Sequence, residues 1–139
     1  MRSLRARGAR RGNYPRGLRG EQSYWTIVGV DGDPDEGLLD EDLRLETGRA
    51  QFSLEPFLFT ESGLQTWAEG RTSQSLAAGS LPIPTATRTV DSLALSVTAF
   101  ARGPRGQSEL VARYRVRNQA PRDRSVTLLL AIRPFPVNP

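Results

Sequence analysis

Along most of the chain, apolar residues recur at every second position, the period that turns one face of a strand toward a core. The clearest case is ELVARYRVRN (Glu109–Asn118). Leu110, Ala112, Tyr114 and Val116 share one face there, and Val111, Arg113, Arg115 and Arg117 share the other. LALSVTAFA (93–101) alternates Leu93, Leu95 and Val97 against Ala94, Ser96 and Thr98, and GPRGQ (103–107) joins the two runs as a hairpin loop. Upstream, SYWTIVGV (23–30) is aromatic and β-branched. LRLE (43–46) and AQFSLEPFLF (50–59) follow, with Phe52, Leu54, Phe57 and Phe59 as inward candidates. Pro56 cannot donate to a ladder and predicts an edge position or a bulge. GLQTWAE (63–69) reads as the return strand of a hairpin turning at Glu61-Ser62-Gly63. SVTLLLAIRPF (125–135) is apolar on both faces, which predicts a central, covered strand. Roughly seven short strands with turns between them, and no sustained helical period, predict an all-β chain folded as an antiparallel β-sandwich.

Charge divides the chain near Glu21. Seven of the nineteen arginines (Arg2, Arg5, Arg7, Arg10, Arg11, Arg16 and Arg19) lie in the first twenty residues, where there is no acid and no lysine. That Arg/Gly-rich leader has almost nothing to bury and is expected to be disordered. Residues 21–139 are mildly acidic and form the sandwich domain, so the basic pI comes from the leader alone. Clustered arginine can neutralise phosphates, but Tyr14 is the leader's one aromatic, and the domain carries no stripe that extends it. A flexible leader is the simpler expectation.

Composition removes much chemistry. With no cysteine there is no disulfide or thiolate metal site, and with no histidine there is no Ser-His-Asp triad and no ordinary zinc centre. No apolar run is long enough to span a bilayer, and no signal-type segment follows Met1, so a cytoplasmic location is expected.

Candidate sites are few. VGVDGDPDEGLLDED (28–42) holds seven of the fifteen carboxylates. Asp31, Asp33 and Asp35 have the spacing of the first three calcium ligands of an EF-hand loop. Gly37 falls one position late, Pro34 stiffens the loop, and Asp42 stands where a glutamate belongs, so a solvated turn is preferred and calcium is the only cofactor considered. Glu55 and Glu69 have apolar neighbours and are conceivable acids, but alternation turns Glu55 away from the core, opposite Leu54, and no second positioned group is evident. Trp25 and Trp67 are either core residues or a sugar-stacking platform. The row Arg113, Arg115 and Arg117 suits a solvated face paired with cross-strand acids, or a surface for a phosphate or an acidic neighbouring domain.

Five segments carry a family resemblance: EQSYWTIVGVDGDPDEGLLDEDLRLETGRAQFSLEPFLF, SQSLAAGSLPIPTATR, LALSVTAFA, ARYRVRN and LLLAIRPFPVNP. Residues 21–139 resemble the N-terminal β-sandwich region of large bacterial carbohydrate-active proteins, relatives of glycoside hydrolases and disaccharide phosphorylases. In that group a super-sandwich domain precedes a six-hairpin (α/α) barrel, and some members carry discoidin-type modules. The resemblance implies an incomplete super-sandwich-like domain, truncated at its C-terminal end. It also implies catalytic carboxylates on a barrel outside this chain, and so no catalytic residue and no enzyme activity here. The expected function is a non-catalytic accessory domain whose partners are that barrel and a glycan, with no membrane and no nucleic acid. The arginine leader departs from the pattern. An alternative of another class is a stand-alone binding module whose leader contacts nucleic acid or another polyanion, separable from sugar binding by its steep salt dependence. A third is a truncated product with no function of its own. The front-domain reading further predicts an exposed apolar patch over 128–135 and poor solubility at neutral pH.

Overall fold

The computed structural model describes residues 9–137. Ten strands form two antiparallel sheets. Sheet A takes β1 (Trp25–Val28), β2 (Gly37–Asp40), β3 (Leu45–Glu46), β4 (Ser53–Thr60) and β10 (Thr127–Arg133) in that order, with the short β5 (Gly63–Gln65) also paired to β4. Sheet B is a meander of β6 (Arg71–Ala77), β7 (Leu81–Val90), β8 (Leu93–Arg102) and β9 (Glu109–Asn118). The expected antiparallel β-sandwich is thus the fold. No helix among the described residues is long and apolar enough to cross a membrane.

The core lies where the inner faces meet. Val28, Leu39, Leu43, Leu45 and Leu58 from the sheet A side pack with Ala86, Leu93, Leu95, Val97 and Ala99 of sheet B, all buried. One polar residue joins them. Arg88 is on the inner face of β7, fully buried; its Nη2 donates to the Pro56 carbonyl at 3.0 Å and its Nε has no partner. Burial lowers its pKa, with the carboxylates of Asp42 and Glu55 opposing that shift.

Several strand expectations need correction. The run at 125–135 forms β10, which pairs only with β4 among the described residues. It is an edge strand, and its apolarity on both faces leaves Leu129, Leu130 and Ile132 exposed. Pro56 is neither at an edge nor at a bulge, because the β4–β10 register runs without a shift from Thr127↔Phe59 to Arg133↔Ser53. On its other side β4 pairs with β3 at Leu54 and with β5 from Leu58 onward, so Pro56 sits in the gap between two neighbours, where no N–H is needed. Of the inward candidates on this run, Phe52 and Phe59 are exposed and Phe57 is buried on the outer face with Glu55, while the core position falls to Leu58.

The leader also behaves differently where it is described. Residues 1–8 lie outside the described residues. Residues 9–20 were expected to be disordered; instead they pack on the domain through arginines and backbone rather than through apolar side chains. The Trp67 indole N–H donates to the Tyr14 carbonyl at 2.9 Å, and the Arg11 and Arg16 guanidinium groups stand 4.9 and 4.5 Å from the Trp67 ring centroid. Arg16 binds Asp42 through two hydrogen bonds, of 2.6 and 3.0 Å. Its single 3-10 turn, Arg16–Arg19, ends at Gly20. Gly12 has φ +95° and passes so close to Thr66 that a Cβ would lie 1.8 Å from its hydroxyl oxygen.

This docking predicts a graded mutational response. Arg16→Ala removes charge-assisted bonds to a buried carboxylate and should cost about 2 kcal/mol in urea denaturation. Arg10→Ala breaks a largely exposed pair with Glu69 and should cost no more than about 0.5 kcal/mol. Gly12→Ala cannot be accommodated without lifting the leader, so it should expose the Trp67 indole and red-shift its fluorescence. Equal effects from all three would contradict this arrangement.

Candidate functional site

Alternation along sheet A sends Asp40, Glu46, Ser53 and Glu55 away from the sandwich core, on the face shared with Trp25, Phe57 and Arg133. All four are nevertheless buried. The reason is a third layer, made by the docked leader and by residues 134–137, which covers the middle of this outer face and leaves Trp25, Phe59 and Leu129 exposed. Glu46 accepts from the Val137 N–H at 2.7 Å, Arg44 donates to the Val137 carbonyl at 3.1 Å, and the Ser53 hydroxyl donates to the Phe135 carbonyl at 2.8 Å. Arg133 joins both covering segments, binding Glu55 at 2.7 Å and donating to the Asn13 carbonyl at 2.9 Å. Glu55 therefore points away from the core, as alternation requires, and is still taken out of water.

Electrostatics follow from that burial. Desolvation lifts the Asp40 carboxyl to about 7, against the pull of Arg44 and of the Arg44 and Asp42 N–H groups that it accepts. Desolvation also raises the pKa of Glu55, with Arg133 opposing. A raised acid in a sandwich invites a glycosidase reading, but the two conceivable acids are occupied. Glu55 is held by Arg133, and Glu69 accepts from the Thr66 N–H, the Thr66 hydroxyl and Arg10.

The acidic stretch is divided among structural tasks. Only its first part is a loop, because Gly37–Asp40 is strand β2. Asp33 is buried in that loop. One of its oxygens accepts from the Asp35 N–H at 3.1 Å, and the other from the Gly106 N–H and the Ser108 hydroxyl at 3.0 and 2.7 Å. The Ser108 bond and the two backbone bonds lower its pKa. Asp31 and Asp35 are exposed, and among the described residues no cluster of three acids stands close enough to hold a metal ion. Asp33 thus ties the β1–β2 loop to the β8–β9 loop.

The two tryptophans have different fates. Trp67 is 4% exposed, with arginines over its ring, whereas Trp25 on edge strand β1 is 40% exposed. Trp67 has no free face for a sugar.

Two of the surfaces that remain open bear on function. The first surrounds β10. Ile132 is 72% exposed, Leu130 44%, Leu129 43%, and Phe59 at the neighbouring end of β4 52%. A groove of about 340 Å³ lies here, lined by Phe57, Leu64, Leu129, Leu130, Ala131, Arg133 and Asn13. The second is the outer face of sheet B, where pairing aligns three rows. One row runs Ser73, Thr87, Ser96, Arg115; beside it run Ser75, Thr85, Thr98, Arg113 and Arg71, Thr89, Ala94, Arg117. The acids expected opposite the arginines are absent from those positions, and hydroxyl side chains or Ala94 stand there instead.

No protein-family model, no curated protein and no solved structure matches this chain.

The ion pair beneath the third layer gives a pH-dependent prediction. Arg133→Ala leaves a buried carboxylate without its counter-charge and should cost about 3 kcal/mol at pH 7.5. A carboxyl with a raised folded pKa loses stability as pH rises, so the penalty should shrink toward pH 5, where Glu55 can take up a proton. A loss that does not change between those pH values would contradict this assignment.

Proposed function

We propose that the chain serves as a non-catalytic accessory β-sandwich of a carbohydrate-active, glycoside hydrolase-like protein, and that it packs through β10 against a catalytic barrel of the same longer protein. The observation that carries this reading is the exposed apolar edge of the sheet, with Leu130 and Ile132 on one face of β10 and Leu129 beside Phe59 on the other. Scattered exposed leucines are ordinary on protein surfaces, but consecutive ones on an edge strand with unpaired backbone groups are a liability unless something covers them. Native edge strands are normally shielded by charge, proline, a bulge or a neighbour, and β10 shows none of these between Thr127 and Ile132. Leu129, Leu130 and Ile132 fall within residues 128–135, and Phe59 extends the apolar surface onto β4. The buried carboxylates support a non-catalytic role, since each conceivable acid is bound to an arginine.

Reading the native gene in frame beyond the codon for Pro139, and sizing its product on a blot, tests the proposal. The expected outcome is an open frame continuing for several hundred residues and a correspondingly large band. A stop codon with a band near 15 kDa would overturn it. Independently, Leu129→Glu with Ile132→Glu should raise the solubility of the isolated chain at neutral pH without lowering its thermal midpoint.

A further inference from the structure

We infer that the outer face of sheet B binds an acidic polysaccharide, with its carboxylates on the arginine row of β9 and its sugar hydroxyls on the serine and threonine rows of β6, β7 and β8. The face is four strands wide, and its polar groups are arranged by the ladder rather than by loops. Arg113, Arg115 and Arg117 are exposed on alternate positions of one strand, so their side chains project about 6.7 Å apart in a single file. None of them, nor Arg71 on the opposite edge strand, has a carboxylate within ion-pair distance among the described residues; Arg49, Arg88, Arg105, Arg122 and Arg124 share that property, but Arg113, Arg115 and Arg117 alone stand in file on one strand. The one acid on the face, Glu109, is at its end and is already bound by Arg102 at 2.9 Å. Like charges in file repel, so the row is stabilised by an anion from outside.

The rest of the face selects the kind of anion. Guanidinium forks match planar carboxylates bidentately. Hydroxyl side chains both donate and accept, which suits a polyhydroxylated chain. The Thr85 and Thr98 hydroxyls already bond to each other at 2.8 Å across β7 and β8, which holds that row in register. Nucleic acid fits less well, because no aromatic lies between the arginines and the edge of β6 on which bases could stack. Phe100 is half-buried beside Val111, beyond the end of the rows. Guarding of an edge strand would account for isolated charges of either sign on β9, but not for the hydroxyl rows that continue across the two central strands. Choosing a glycan among polyanions rests in part on the carbohydrate-active reading above, while the site is on a different sheet from the docking face.

The test is affinity electrophoresis of the full chain in gels containing polygalacturonate, neutral galactan or no glycan, with a single-stranded oligothymidylate as a competitor. Retardation by polygalacturonate and not by galactan is expected. The triple variant Arg113→Ala, Arg115→Ala and Arg117→Ala should weaken it about tenfold or more while leaving the thermal midpoint unchanged. Thr87→Val, which keeps the shape of the strand and removes one hydroxyl, should weaken it roughly threefold. The inference is overturned by equal retardation in galactan, by full displacement at an equal concentration of oligothymidylate, by binding that survives the triple arginine variant, or by no retardation at all. Each of these results is independent of whether the gene continues past Pro139, so this inference and the docking proposal can fail separately.

Discussion

Polar side chains on the outer face of sheet A hold backbone from two distant parts of the chain, and most of the structure's organisation depends on that closure. Asp40, Arg44, Glu46, Ser53 and Glu55 would be solvated on an ordinary two-layer sandwich. Here they receive the Val137 amide, the Val137 and Phe135 carbonyls, and Arg133, which in turn reaches the Asn13 carbonyl. Burying several charges is costly, and the cost is recovered only when each has a partner with good geometry. The consequence is specificity of placement: the covering segments have one position that satisfies all of these groups. The leader reinforces it from the Trp67 side, where Gly12 permits an approach that no other residue would.

The closure also determines what remains available for function. It occupies Glu55, Glu69 and Trp67, the residues with most catalytic or sugar-stacking promise. Two surfaces are left with opposite character. Around β10 the chain presents leucine, isoleucine and phenylalanine beside an open strand edge. On the far side, sheet B presents arginine and hydroxyl groups in register. A domain with one apolar and one polar-cationic face is suited to holding two different partners at once.

How much of this was legible in the sequence varies by element and for physical reasons. β8 and β9 are evident because each alternates, with Leu93, Leu95 and Val97 on the buried side of β8 and Leu110, Ala112 and Tyr114 on the half-buried side of β9. β6 is not, because RTSQSLA is exposed on both faces and leaves no alternation to read. β7 is hidden by its prolines, by Arg88 on the inward side, and by a turn at Asp91-Ser92 that takes positive φ without glycine. The strand at 127–133 is evident, but its apolarity misleads, because composition cannot tell a covered strand from one awaiting a cover. The acidic stretch shows a different limit. Its one-three-five spacing resembles a ligand set, yet beyond the Asp35 N–H the groups that bind Asp33 are Gly106 and Ser108, over seventy positions away. The docked half of the leader shows no apolar period, since guanidinium and carbonyl groups make its hydrogen bonds and Pro15 is its one buried apolar side chain. Its one readable trace is Trp67, whose indole N–H needs an acceptor once buried.

The middle of the outer face of sheet A, around Glu46, Ser53 and Glu55, is closed by backbone held on buried polar groups. Native-state hydrogen exchange at the Val137 amide and the Trp67 indole N–H tests it most directly, with the Leu95 and Val97 amides of the core as the reference. Protection at both probes approaching that of the core amides is expected, because both N–H groups are bonded and buried. Exchange at the rate of the exposed 103–107 loop would show that the third layer does not close, and would contradict the account.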